Sequence, residues 1–357
     1  MSQSDTTPKP LRIREKLAFL DADRPDQALL DFFNSLGVEP REEPRDTKDH
    51  VIPRPVILIS QLPRSGGSLL SQLLDGHPQL LVYPWEMKIG YPSKAKWPAL
   101  DLGKSAAHLF ATLFHSELGY FSKKGYRKGG KARPKQKRLK FDYSPYDHYQ
   151  NFVRLLPTER NRRSVLDTYF STFFEAWRGQ PEGARYVAGF IPRMAAYSES
   201  ISGFFTDYPD GRLISLIRDP ADWFASHRAH TDQGEVRYGD VEEEMRAWNR
   251  MARLALEYRR EYEDRFLLLS FTTLVSDREA TMTRVSEWVG IDYLPSLMQQ
   301  TFDGNPISPN TNFHDPVERI AEAVFDRKQK LEESERRRAY DLTADMRREL
   351  KAIGLNV

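Results

Sequence analysis

A three-layer α/β/α fold around a short parallel sheet of about five strands is what this sequence predicts. Three observations lead there. Residues 56–60, 80–83, 186–190, 213–217 and 266–270 are short and apolar without alternation, the pattern of strands buried on both faces. Helical periodicities separate most of them. The first and fourth run directly into a turn and then a helix.

Residues 1–50 are polar, with one helix expected over 25–36, where Ala28, Leu29, Leu30, Phe32, Phe33 and Leu36 supply the apolar stripe. Residues 39–50 read as a linker. After the first strand, Leu69, Leu70, Leu73 and Leu74 form one helix face, stopped by Gly76 and Pro78. Helices are expected over 149–156 and 165–177, the second closed by Gly179. Asp219-Pro220 is an N-cap followed by proline at the first helical position. Residues 241–262 are long and amphipathic, and Ser276-Asp-Arg-Glu279 reads as a capping box for a helix reaching Val289. The organisation expected is a polar, helical extension (1–50), one domain (51–320) with a basic insertion at about 91–150, and a C-terminal helical segment (321–357).

Composition narrows the class. The chain has 357 residues, 39% hydrophobic and 29% charged, a globular balance. Its 53 basic and 51 acidic residues leave +2, so any strongly basic surface is local. Without cysteine there are no disulfides, thiol nucleophiles or cysteine metal sites. No signal-peptide core and no apolar run of about 18 residues is present, so a soluble, cytoplasmic protein without a membrane span is expected.

Two motifs carry chemistry. Pro63-Arg-Ser-Gly-Gly-Ser68 joins the first strand to the first core helix. Such a turn directs backbone N–H groups and a positive helix end at one point, which suits phosphate or sulfate. It lacks the lysine after a second glycine that a Walker A loop requires. In the second motif, Arg218-Asp-Pro follows the fourth strand and Ser226 stands eight residues beyond Arg218. An arginine fork backed by a hydroxyl suits a dianionic phosphate. An Arg-Asp pair at a helix start is equally a common structural device.

Together, Pro-Arg-Ser-Gly and Arg-Asp-Pro with its distant serine resemble the two nucleotide-binding signatures of sulfotransferases that use 3′-phosphoadenosine 5′-phosphosulfate (PAPS). The Arg-Ser-Gly form, with Leu74-Asp-Gly-His-Pro78 and Tyr83-Pro-Trp-Glu86, is most similar to tyrosylprotein-type, carbohydrate-type and related bacterial enzymes. The resemblance spans about residues 55–315. It implies a P-loop NTPase-like single domain with helical insertions and PAPS as co-substrate without a metal. It implies a 5′-phosphosulfate loop of Arg64, Ser65, Gly66, Gly67, Ser68 and Leu69, and a 3′-phosphate site of Arg218 and Ser226. Phe271 falls where adenine packs, and Ser308, Asn310 and Asn312 lie in the late cofactor loop. Gly67 departs from the usual Thr or Ser, Phe271 from a frequent Tyr, and the late loop lacks an evident basic residue.

Sulfuryl transfer needs stabilisation of the leaving phosphate and a base for the acceptor proton. Arg64 and the loop amides fit the first role. Glu86, just past the second strand, is the base expected; its bland reading is a surface carboxylate paired with Lys88 or Arg64. His77 reads as a helix-stop residue, and His108, His115, His227 and His230 are the alternative bases. Asp142 and Asp147 flank the basic stretch. The aromatic-rich region 83–150 reads mainly as core, and also as the place for an acceptor pocket. Residues 123–140 hold ten Lys/Arg and no acid: a solvated loop, or a rim attracting an anionic acceptor, nucleic acid or an acidic membrane. No nucleic-acid-binding motif accompanies it. The acceptor is a hydroxyl or amine of a small molecule, glycan, lipid or peptide, and an oligomer is compatible with the sequence. The rival readings are a P-loop-like phosphoryl transferase or kinase, which would need a loop lysine and a magnesium-holding Asp, and a non-catalytic anion- or nucleic-acid-binding protein.

Overall fold

Val56-Ile-Leu-Ile59 is apolar throughout because the strand it forms has a neighbour on each side and cover on both faces; all four residues are fully buried. The computed structural model describes residues 23–41, 48–126, 138–231, 239–307 and 327–357. In chain order its elements are α1 (Pro25–Ser35), β1 (Val56–Ile59), α2 (Gly67–Leu74), β2 (Leu80–Glu86), α3 (Ala106–Leu113), α4 (Glu117–Lys124) and α5 (Pro145–Leu155). Next come α6 (Arg162–Trp177), β3 (Tyr186–Phe190), α7 (Ser198–Asp207), β4 (Arg212–Ile217), α8 (Pro220–Thr231), α9 (Val241–Tyr262) and β5 (Phe266–Ser270). The chain continues through α10 (Phe271–Ser276), α11 (Arg278–Val289), the short strands β6 (Thr301–Phe302) and β7 (Asn305–Pro306), and α12 (Glu333–Ala352).

Two compact units result. One comprises Pro55–Met87 and Gly183–Val357. It holds a five-stranded, wholly parallel sheet in the order β2-β3-β1-β4-β5. Alternate strand residues Ile57, Ile59, Val82, Ala188, Phe190, Ile214, Leu216, Leu267 and Leu269 meet Leu70, Leu73 and Leu74 of α2 and Met282, Val285 and Val289 of α11. The alternation puts Val56, Leu58, Val187 and Leu213 on the opposite face, also buried. β1 leads to β2 on one side of the sheet, whereas β4 leads to β5 on the other. That reversal makes a topological switch point between the carboxyl ends of β1 and β4, where open α/β sheets bind ligands. Both sequence motifs sit on those two strand ends.

The other unit comprises Met1–Arg54 and Lys88–Glu182. Its core is aromatic: Phe33 sets its edge against Phe114 and Tyr146 at 5.4 and 5.2 Å, and Phe110 meets Tyr149 and Phe152 at 5.1 and 5.5 Å. Phe110, Phe114, Tyr143 and Tyr146 are thus core, as the bland reading expects. At their centre His148 is wholly buried, with Tyr143 Oη 2.7 Å from Nδ1 and the Tyr169 carbonyl 3.0 Å from Nε2. Burial pushes its pKa down to about 3, so the imidazole stays neutral in the folded protein at physiological pH. Tyr126 and Leu139 exchange two backbone hydrogen bonds of 2.8 Å, so the two ends of the basic stretch are tied together. Its central residues 127–137 lie outside the described residues.

The expected strands are present within a residue or so at most ends, with β2 running on to Glu86. Three helix starts differ. The helix expected from 165 begins at Arg162, because Asn161 accepts from the Ser164 N–H at 2.8 Å. The helix expected from 149 begins at Pro145, because Ser144 accepts from the Asp147 N–H at 3.1 Å and proline suits the first turn. The cap of α11 is Asp277, accepting from the Ala280 N–H at 3.3 Å, because Ser276 is consumed as the last residue of α10. Asp219 does cap α8: its Oδ1 accepts from the Asp222 N–H at 2.9 Å. Among the described residues no helix is long and apolar enough to cross a membrane.

Candidate functional site

The β1–α2 connection starts with a buried serine. Ser60 Oγ donates to the Ile191 carbonyl at 2.7 Å and accepts from the Ala195 N–H at 2.8 Å, fixing where the strand ends. The chain then turns: the Ser65 N–H bonds the Leu62 carbonyl at 3.3 Å, so this amide serves the loop itself. Arg64 at φ 72° and Gly66 at φ 101° are left-handed, a conformation glycine adopts freely and arginine only under constraint. The constraint comes from the second motif. Trp223 Nε1 donates to the Pro63 carbonyl at 2.9 Å and Arg218 Nη1 to the Arg64 carbonyl at 3.2 Å.

α2 begins at Gly67, and its first helical bond runs from the Leu70 N–H to the Gly66 carbonyl at 3.0 Å. The N–H groups of Gly67, Ser68 and Leu69 precede that bond, and the first turn has no acidic side chain. This is a positive helix end with donors facing one region. Gly66 is glycine for a second reason: a Cβ there would run into the ring of Phe271. Ser65 is buried beneath the loop at 3% exposure.

Arg218 emerges from β4 and its carbonyl accepts from Trp248 Nε1 of α9 at 2.9 Å. The residue is only 4% exposed, and its guanidinium lies 4.7 Å over the face of Phe271 and turns toward the first loop. About two turns into α8, Ser226 is buried, with its Oγ 3.5 Å from Arg64 Nε. The structure therefore brings Arg64, Gly66, Arg218, Ser226 and Phe271 into one cluster. Beside it, Asp222 accepts from the Lys328 N–H at 3.1 Å. Burial, reinforced by the Asp219 charge, raises the Asp222 carboxyl to about 6 against the opposing pull of Arg218 and Lys328. Tyr340 donates to Asp219 Oδ2 at 3.2 Å. This acidic backing keeps the arginine side of α8 from being a bare positive field.

Glu86 ends β2 and is half-buried. It follows a register shift and pairs with Phe190 on β3. Trp85, at φ 46°, stacks on Phe302 at 6.0 Å, and the turn places Glu86 at the sheet edge. The Phe190 ring reaches the spot a Cβ on Gly67 would fill, which links the Glu86 position to the start of α2. Lys88, considered as a partner of Glu86, bonds Glu117 at 2.5 Å.

The histidines divide clearly. His77 Nε2 donates to the Asp292 carbonyl at 2.9 Å while Nδ1 accepts from the Gln79 N–H at 3.2 Å; burial lowers its pKa. It locks the turn after α2, as the helix-stop reading expects. His227 stacks on Trp223 and lies 3.1 Å from Glu244 Oε2. His115 Nδ1 accepts from the Glu117 N–H at 3.2 Å, and His108 lies on α3. The His230 side chain and Ser308, Asn310 and Asn312 lie outside the described residues. Asp147 lies 3.4 Å and Asp142 3.2 Å from Arg41, within the aromatic unit.

Sequence reasoning passed over Gln61, Asp222, Trp223 and Trp248. Asp222 follows Asp219 by three residues, a detectable pairing; the tryptophans gave no local signal for the carbonyls they bond.

Comparison with known proteins identifies a family. The model of the Sulfotransferase family matches residues 55–295. Solved structures similar to the chain include the sulfotransferase domain of the Synechococcus PCC 7002 olefin synthase, 17% identical over 86% of this chain and 98% of that one, TM-score 0.47. They also include sulfotransferase STF9 from Mycobacterium avium, 14% identical over 99% and 89%, TM-score 0.45. A third is mouse sulfotransferase SULT7A1 complexed with PAP, 12% identical over 90% of each chain, TM-score 0.37. No curated protein matches the chain. A family match over two-thirds of the sequence, centred on the sheet whose loops carry Arg64 and Arg218, leads to one conclusion: this chain belongs to the sulfotransferase family.

Proposed function

We propose that the protein transfers a sulfuryl group from PAPS to a hydroxyl or amine of an acceptor. The observation that carries this reading is the meeting of the two motifs: Arg218 Nη1 on the Arg64 carbonyl at 3.2 Å and Arg64 Nε on Ser226 Oγ at 3.5 Å, at the start of α2. The residues fit the co-substrate chemically. Two guanidiniums, a hydroxyl and the first-turn amides of a helix without acidic residues form a donor set suited to two phosphates.

In this reading Arg64 with the loop residues Ser65, Gly66, Gly67, Ser68 and Leu69 holds the 5′-phosphosulfate end. Arg218 and Ser226 hold the 3′-phosphate, and Phe271 flanks the base while buttressing Arg218. Ser308, Asn310 and Asn312 complete the nucleotide site. The acceptor oxygen or nitrogen attacks sulfur in line as the bond to the 5′-phosphate breaks, releasing 3′,5′-ADP. Glu86 takes the acceptor proton, and Arg64 meets the charge that grows on the departing phosphate. The unit of residues 55–87 and 183–357 thus supplies the nucleotide site, with the acceptor being a small molecule, glycan, lipid or peptide.

Calorimetric titration tests the reading against phosphoryl transfer. The protein should bind 3′,5′-ADP, and added magnesium should leave that affinity unchanged. Preference for ATP that strengthens with magnesium would overturn it.

A further inference from the structure

Gln61 lies two residues past the end of β1 and is 1% exposed, and neither Oε1 nor Nε2 of its carboxamide has a hydrogen-bond partner among the described residues. Only its main chain is engaged, its carbonyl accepting from the Arg193 N–H at 2.9 Å. A buried carboxamide offers two donors and an acceptor, and leaving all of them unmade is costly. An ordered water or a bound ligand completes such a group, and at a candidate anion site the ligand is the partner to consider.

The position of the amide says which ligand. A Cβ on Gly67, the first residue of α2, would collide with Gln61 Nε2 and lie 2.9 Å from Gln61 Cδ. The carboxamide, together with the Phe190 ring, therefore fills the volume that a side chain at 67 would take, at the positive end of the helix and beside its first-turn N–H groups. Gly67 is not left-handed, so conformation does not demand glycine there. Space does. A hydroxyl-bearing residue at 67 and a glutamine at 61 exclude one another, and this chain has the glutamine.

We propose that Gln61 is a binding residue of the β1–α2 loop, its Nε2–H donating to the anionic group held at the start of α2 in place of a side-chain donor at position 67. The inference rests on the nucleotide reading above, with the 5′-phosphate or phosphosulfate of the bound nucleotide as that group. The neutral carboxamide adds a directed donor without adding charge, so Arg64 remains the electrostatic partner while Gln61 fixes the orientation of the anion.

Gln61→Met, close in shape and without the donor, tests this with two readouts of opposite sign. Losing a hydrogen bond to a charged group should weaken 3′,5′-ADP binding by roughly tenfold or more in calorimetry. The thermal midpoint of the ligand-free protein should hold or rise, because an unmade buried polar group has gone. Wild-type affinity in a folded Gln61→Met would overturn the role of Gln61 and leave the nucleotide reading standing. Failure of the wild type itself to bind 3′,5′-ADP would overturn both. Should the variant not fold, a crystal structure of the wild type with 3′,5′-ADP decides: Nε2 within hydrogen-bond distance of a 5′-phosphate oxygen supports the proposal, and a carboxamide turned away from the nucleotide refutes it.

Discussion

Arg64→Ala should lower kcat for sulfate transfer by roughly 10²- to 10³-fold, the usual cost of removing one preorganised donor from developing charge. The architecture predicts that this loss comes without unfolding. What ties the loop to the second motif is the Arg64 carbonyl, which accepts from Arg218 Nη1 at 3.2 Å, and the Pro63 carbonyl, which accepts from Trp223 Nε1 at 2.9 Å. Neither contact involves the Arg64 side chain. That side chain is half-exposed and reaches Ser226 Oγ at a weak 3.5 Å. Arg64→Lys should recover only part of the rate, because a point charge cannot reproduce a planar fork. Steady-state kinetics beside thermal unfolding checks both variants. Activity within about threefold of wild type in a folded Arg64→Ala would remove the residue from the mechanism, since even the lower bound for a lost donor is near a hundredfold.

Glu86→Gln should reduce kcat by roughly 10²- to 10⁴-fold, the span attributed to general-base catalysis. Its affinity for 3′,5′-ADP should stay near wild type, because the change preserves shape and touches the acceptor side of the reaction. Glu86 sits at the end of β2 beside Phe190, and its neighbour Trp85 is held against Phe302, so strand pairing and ring stacking anchor the backbone that carries it. The pH–rate profile separates a base from a structural carboxylate. Wild type should lose activity on the acid side as the base is protonated, whereas Glu86→Gln should show a low, flat acid limb. An unchanged profile with a modest drop in rate would transfer the role to another group, with His227 the histidine on α8 nearest Ser226 in sequence.

The parts of this fold that were legible in the sequence share a cause. β1, β3, β4 and β5 are buried on both faces, so their runs are apolar with only Ser215 of β4 breaking the interior, and need no context to read. α9 has a strong polar–apolar division and was legible from end to end. α3 was not: Ala107, Leu109, Phe110, Ala111, Thr112 and Leu113 are all buried, which erases the period that marks a surface helix. α10 reads Phe-Thr-Thr-Leu-Val-Ser, a strand-like composition, and becomes helical where Ser270 accepts from the Thr273 N–H at 3.3 Å.

The site divides the same way. Arg64 and Arg218 were legible because each stands in a local strand–turn–helix pattern with its own chemistry. Their contact was implied only by the pairing of two motifs 154 residues apart. Gln61 was silent, being one polar residue between a strand and a turn. It acquires meaning only when the space above Gly67 is known to be filled by its carboxamide. His148 was silent too, since a histidine among aromatic residues carries no sequence mark of complete burial.

The central claim is that the turns after β1 and β4 grip one doubly phosphorylated nucleotide, and a crystal structure with 3′,5′-ADP tests it most directly. The 5′-phosphate should lie at the first turn of α2 within reach of Arg64, and the 3′-phosphate against Arg218 and Ser226. Density for the nucleotide elsewhere, with the β1–α2 turn unoccupied, would contradict it.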